Sequence, residues 1–174
     1  PANLYLFTHD ATFEMPAEPS PAQPAAADVE RAAAALNAAR RPLLYLGLGA
    51  AGAGASLVRL AESLEAPVAT TFQGKGVFPE SHPLALWPGF GDAAPPFVRA
   101  IAGECDATLA IGCRFGEVAT GSYGIRVPGP LIHVDIEPAV LGRNYPAAVA
   151  IAADAARFVG ALLPRLTPRP RDGE

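Results

Sequence analysis

Residues 47–52, Gly-Leu-Gly-Ala-Ala-Gly, lie between an apolar run and an amphipathic one with the glycine spacing of a dinucleotide-binding turn, G-x-G-x-x-G. Glycine there lets the chain turn tightly and brings backbone N–H groups and the next helix N-terminus towards an anion such as a diphosphate. The same glycines, with Gly54, would equally serve close packing of helix on sheet. A nicotinamide dehydrogenase also needs an acid at the end of the second strand, about 20 residues on, to bind the ribose hydroxyls. Here that run ends in Thr70-Thr71-Phe72, so the fingerprint is incomplete and a dehydrogenase is disfavoured.

The most distinctive stretch of the chain is TTFQGKGVFPESHPLALWPGFG, residues 70–91. Its first turn offers two hydroxyls, backbone donors freed by Gly74 and Gly76, and Lys75, the sole lysine; a solvated loop is the plainer alternative. Gly112 with Arg114, and Asp135 with Ile136, each follow another apolar run. Arginine is a fixed fork suited to phosphate or to stacking on adenine, and a carboxylate accepts from ribose or from an adenine amino group. An ion pair at the sheet rim is the structural alternative for Arg114 and Asp135. Asp154 reads as a helix N-cap and Trp87 as a packing anchor. His9, His82 and His133 share no spacing that suggests a site, and His133, inside an apolar run, reads as a satisfied core histidine. Cys105 and Cys113 read as a reduced pair, and four zinc ligands cannot be assembled from these five residues.

These residues need a scaffold. Asp28 is the expected N-cap of a helix over 29–40, with Pro42 enforcing its stop. Strands are expected at 43–49, 67–72, 107–113, 131–136 and 149–153, and helices at 54–64, 95–104 and 155–166, with a long connection from 73 to 94. The strand runs are continuously apolar, as burial on both faces of a parallel sheet requires. The expected fold class is therefore α/β: a doubly wound, mostly parallel, Rossmann-like sheet with helices on both faces. In such sheets ligands bind beyond the carboxyl ends of the strands, where the glycine turn, Thr70–Phe72, Arg114 and Asp135 all fall.

The 174 residues, 51% hydrophobic, can bury one good core. A formal charge of −4 without a basic cluster argues against nucleic acid, and no run reaches the roughly 18 apolar residues of a spanning helix. Neither a membrane nor a signal peptide is expected, and the expected location is cytoplasmic. A strand-like piece at 2–8 precedes a proline-rich, aperiodic stretch at 14–27. Residues 1–27 thus read as the tail of a preceding domain and a linker, 28–166 as the main domain, and 167–174 as the start of another linker.

Four segments, RPLLYLGLGA, APVATTFQGKGVFPESHPL, ATLAIGCRFGEVATG and LIHVDIEPAVLGRNYPAAVAIAADA, occur in an order and at spacings that resemble the central domain of thiamine-diphosphate-dependent enzymes of the acetolactate synthase type. The resemblance covers about 28–166. It implies a Rossmann-like domain of about six strands, set between two thiamine-diphosphate domains, which in some members holds FAD or ADP without redox chemistry. The preceding domain would be the pyrimidine-binding one. Carried over, Gly47 and Gly49 would face the diphosphate, and Thr70, Thr71 and Phe72 would line the cleft. Gly89 and Phe90 would match the loop beneath a flavin, Gly112 and Arg114 would cradle phosphates and adenosine, and Asp135 and Ile136 would sit at the adenosine with Asn144 and Asp154 nearby.

The chain departs from flavin-binding members at Gly116-Glu117-Val118, at Ala153 and across 87–95, which leaves FAD, ADP, another adenine nucleotide or a vestigial cleft open. The Gly-Asp-Gly pattern that holds Mg2+ and the thiamine diphosphate does not occur, so this stretch is not expected to be catalytic alone. The implied parent enzyme is a 2-oxoacid carboligase or decarboxylase, a homodimer or homotetramer using thiamine diphosphate and Mg2+ held by its other domains. The rival is a stand-alone NAD-binding protein, either a dehydrogenase or a sirtuin-like deacylase; the latter would need its own histidine motif and usually a zinc module.

Overall fold

The computed structural model describes residue 14 and residues 22–169. The strand expected at 2–8, most of the linker before residue 22 and the tail beyond 169 lie outside the described residues.

Six strands form one all-parallel sheet: β1 (Pro42–Leu46), β2 (Val68–Thr70), β3 (Ala85–Pro88), β4 (Ala107–Ile111), β5 (Leu131–Asp135) and β6 (Val149–Ala152). Their order across the sheet is β3-β2-β1-β4-β5-β6, so the chain reverses its direction of travel between β1 and β4. That reversal opens a crevice beyond the carboxyl ends of these two strands. Every residue of β1, β4 and β5 is buried, which is why these central runs carry no polar alternation, whereas edge strand β6 alternates buried and exposed.

Helices α1 (Ala26–Ala38), α2 (Ala55–Leu64) and α4 (Ala155–Leu162) cover one face. Val29 and Leu36, Leu57 and Leu60, and Phe158 and Leu162 from the three helices pack there onto Leu44, Leu109 and Ile132 of the sheet. On the other face α3 (Pro96–Gly103) packs Val98 and Ala102 against Leu43, Tyr45 and Ala110. Loops complete that side, with Phe90 and Phe115 as their largest buried anchors.

Most expected elements recur with shortened ends, and several details differ. Asp28 is not the N-cap of α1: the helix starts three residues earlier than expected, after Ala25, and Asp28 sits in its first turn, where it pairs with Arg31 at 2.7 Å. An acid there still complements the helix dipole. The expected strand end at 47–49 is instead the start of a 3-10 turn, Leu48–Ala53, ahead of α2. The connection 73–94 contains β3, a four-residue edge strand bounded by prolines. Trp87 on it is 47% exposed, so it does not act as a core anchor. Arg169, at the expected linker, folds back so that its guanidinium donates to the carbonyls of Leu36, Ala39 and Arg40 at the end of α1.

Candidate functional site

The loops after β1 and β4 meet without a side chain between them. A Cβ on Gly49 would lie 2.8 Å from the Gly112 Cα, and Gly112 itself has φ +61°, a left-handed conformation that favours glycine. Gly47 N–H donates to the Ile111 carbonyl at 2.9 Å and Gly49 N–H to the Gly112 carbonyl at 3.2 Å. Both donors expected to face a diphosphate are therefore occupied by the neighbouring loop, and Gly47 is buried. Gly49 stays exposed and helps to wall a pocket of about 70 Å³. The rest of its wall includes Gly112, Asp135, Ile136, Ala153 and Asp154.

Asp135 ends β5 and is buried, with Oδ1 accepting from the Glu137 N–H at 3.0 Å. Asp154 caps α4, its Oδ1 accepting from the Arg157 N–H at 3.0 Å, as its place ahead of the helix implied. Arg114 is exposed, and neither it nor Asp135 forms an ion pair among the described residues. The rim ion pair that the sequence left open is thus not formed between them.

Two side chains tie the loop after β5 to the loop after β4. Asn144 Nδ2 donates to the Phe115 carbonyl at 2.9 Å and lies 3.5 Å from that of Arg114. His133 Nδ1 accepts from the Gly142 N–H at 3.2 Å while Nε2 meets the Cys113 carbonyl at 2.8 Å. These partners require Nε2 to carry the proton, which fixes a neutral tautomer. Burial lowers the His133 pKa, opposed by its bond to the Cys113 carbonyl and by the Asp135 charge. The expectation of a satisfied core histidine holds, and the residue also braces the cleft; its position facing two loops, visible only in three dimensions, is what gives it that role. Cys113 is a free thiol whose pKa burial pushes up to about 12, and Cys105 is also free.

The β2 end is arranged differently. Thr71 Oγ1 accepts from Gly74 N–H at 2.9 Å, and Thr70 is buried in the strand. Lys75 pairs with Glu80 at 2.7 Å. Lys75 and Glu80 flank a second, larger pocket of about 330 Å³ beside β3, walled by Thr70, Phe78 and Trp87. Gly89 has φ +80°, and Phe90 is buried edge-on against Tyr45 with ring centroids 5.1 Å apart. Phe90 therefore packs in the core rather than opening onto a cleft. Among the described residues no group of three His, Cys, Asp or Glu could hold a metal ion.

Sequence reasoning named Phe72 and Ile136 but not the rest of the apolar rim at these strand ends. Leu48, Phe72, Val118, Tyr123 and Ile136 follow β1, β2, β4 and β5, and each is between 48% and 75% exposed. Large apolar side chains gathered at one end of a sheet mark a surface meant to be covered.

The chain is 40% identical to a probable acetolactate synthase large subunit of Methanocaldococcus jannaschii over 79% of its own length and 24% of that protein. It is 37% identical to the acetolactate synthase isozyme 1 large subunit of Escherichia coli (92% and 30%) and to the probable 2-ketoarginine decarboxylase AruI of Pseudomonas aeruginosa (94% and 29%). It thus spans less than a third of the curated relatives it matches. The fold matches the crystal structure of benzoylformate decarboxylase from Polynucleobacter necessarius with TM-score 0.68 at 23% identity, over 92% of this chain and 31% of that one. From Val29 in α1 to Leu162 at the end of α4, the family model "Thiamine pyrophosphate enzyme, central domain" matches residues 29–162. The chain, helices and sheet alike, belongs to the central-domain family of thiamine pyrophosphate enzymes.

Proposed function

We propose that this domain is the nucleotide-holding centre of a thiamine-diphosphate enzyme that acts on a 2-oxo acid, as the names of its acetolactate synthase and 2-ketoarginine decarboxylase relatives suggest. The observation that carries the reading is the pocket at the switch point of the sheet, where Gly49, Gly112, Asp135, Ile136 and Asp154 converge from four strand ends. With the Gly47 donor occupied, the loop glycines contribute close approach, and the exposed Arg114 fork is the group left to meet phosphates. Adenosine would lie over Ile136 with its ribose against Asp135. FAD and ADP both carry that moiety, and the buried position of Phe90 favours ADP or a flavin whose ring system lies elsewhere.

Thiamine diphosphate and Mg2+ would be held by other domains of the parent chain and supply the carbanion chemistry there. This domain would take no chemical step itself. Its apolar rim at Leu48, Phe72, Val118, Tyr123 and Ile136 would be covered by those domains in an oligomeric parent, whose setting we take to be the cytoplasm. Among the described residues no helix is long and apolar enough to cross a membrane.

A thermal-shift titration with FAD, ADP, NAD and coenzyme A tests the reading, because a ligand that binds only the folded state raises its melting temperature. A shift with ADP or FAD that Arg114→Ala abolishes is the expected result. No shift with any of them makes the cleft vestigial and leaves the domain a scaffold.

A further inference from the structure

At the amino end of the sheet, opposite the glycine turn, lies a pocket of about 370 Å³ walled by residues that lead into β1, β2 and β4. Its wall holds three arginines and two glutamates, most of them already matched. Arg41 pairs with Glu104, and the Arg169 guanidinium donates to the carbonyls that close α1. Arg40 and Glu65 form no ion pair among the described residues. Both are nevertheless held in place. Arg40 is pinned through its main chain, its N–H donating to Asp106 Oδ2 at 2.7 Å and its carbonyl accepting from Arg169. Glu65 closes α2 with φ +47°, a left-handed conformation that favours glycine, so a carboxylate stands where a glycine would fit better. The same wall adds apolar surface from Pro67 and Ile101. A simple anion would meet Glu65 there as a like charge, and a simple cation would meet Arg40. A molecule carrying both charges on neighbouring atoms satisfies the two together: the guanidinium fork matches a carboxylate, and an ammonium supplies donors to Glu65.

We propose that this pocket binds a free α-amino acid with an apolar side chain, its carboxylate on Arg40, its ammonium on Glu65 and its side chain against Pro67 and Ile101. The volume suits a small molecule of this kind. A 2-oxo acid keeps the carboxylate and lacks the ammonium, so the pocket tells an amino acid from the 2-oxo acid of the same carbon skeleton. It lies at the other end of the strands from the pocket at Gly112 and Asp135, and the inference stands whether or not that one takes a nucleotide.

The experiment is a calorimetric titration of the chain with L-norleucine, with 2-oxohexanoate, which lacks the ammonium, and with pentylamine, which lacks the carboxylate. Norleucine should bind about tenfold or more tightly than either, the scale of one charge-assisted hydrogen bond. Arg40→Gln and Glu65→Gln should each weaken norleucine by a similar factor. Glu65→Gly should lose norleucine while raising the melting temperature, because glycine takes the left-handed conformation freely. Failure of norleucine to bind overturns the inference, as does equal binding of 2-oxohexanoate, which would make this a plain anion site. Unchanged norleucine binding in both glutamine variants overturns it too, by placing the ligand elsewhere. The wild-type series decides the matter even if a variant does not fold.

Discussion

The Cβ that Gly47 lacks would stand 1.9 Å from the carbonyl oxygen of Gly112, inside that atom, and 2.8 Å from the Cα of Cys113. The first glycine of the nucleotide-like fingerprint is therefore required by the contact between the β1 and β4 loops. Gly52, the third, is different: a Cβ there meets nothing within 4 Å, and its φ is not in the left-handed region.

Gly47→Ala should lower the unfolding free energy by about 3 kcal/mol or more, because backbone rather than a flexible side chain must move. Gly52→Ala should change it by no more than about 0.5 kcal/mol, or raise it slightly by stiffening the unfolded chain. Urea denaturation of the two variants checks this. Equal losses would mean that the motif acts as a unit and not through the one steric contact.

His133 gives the fold an acid-sensitive brace. The groups facing it are the Asp135 carboxylate, the Cys113 carbonyl, the ring of Phe115 and the Gly142 N–H. Its folded pKa lies below its ordinary 6.5, so the unfolded state takes up the proton first. Its contribution is complete above pH 6.5 and is lost as pH falls through the folded value, with a slope of at most about 1.4 kcal/mol per pH unit. Unfolding free energies between pH 8 and 5 should show this slope in the wild type and lack it in His133→Gln, whatever the absolute loss. Parallel profiles would assign the acid sensitivity elsewhere.

Asp154→Ala removes the side-chain acceptor from the Arg157 N–H and should cost about 1 kcal/mol of stability. Asp154→Ser, which keeps a capping oxygen, should recover most of it. If the serine variant is as unstable as the alanine one, the carboxylate matters for its charge in the pocket rather than as a cap.

Most of the scaffold was legible because the central strands are buried on both faces. Five consecutive buried and mostly apolar residues at each of β1, β4 and β5, flanked by glycine, proline or a helix period, leave little choice of element. β3 was hidden because an edge strand of four residues among prolines carries no such run; its pairing with β2 is a tertiary fact. Asp28 misled because a good capping residue is equally suited to a first turn, and the alanines before it extend the helix at little cost. At the site, position beyond a strand end was readable for the glycine turn, Thr70–Phe72, Gly112, Arg114, Asp135 and Ile136, but the use of each polar group was not. Gly47 N–H, Thr71 Oγ1 and Asn144 Nδ2 all bond to other loops of the domain or their own turn. Which donors stay free for a ligand depends on how neighbouring loops meet, and no single segment encodes that.

Arg114 and Asn144 should separate binding from scaffolding. The Arg114 guanidinium is exposed and forms no ion pair among the described residues, so Arg114→Ala should leave stability within about 0.5 kcal/mol while weakening ADP. Asn144 holds the β5 loop to the carbonyl of Phe115, one residue beyond Arg114. Asn144→Ala should cost about 1 kcal/mol of stability through that lost bond and weaken ADP as well, since the loop carrying the arginine is then less fixed. Denaturation and ADP titration of the two variants, measured side by side, give the test. A stability loss in Arg114→Ala would show that its side chain supports the fold, and intact ADP binding in Asn144→Ala would show that the brace plays no part in holding the nucleotide.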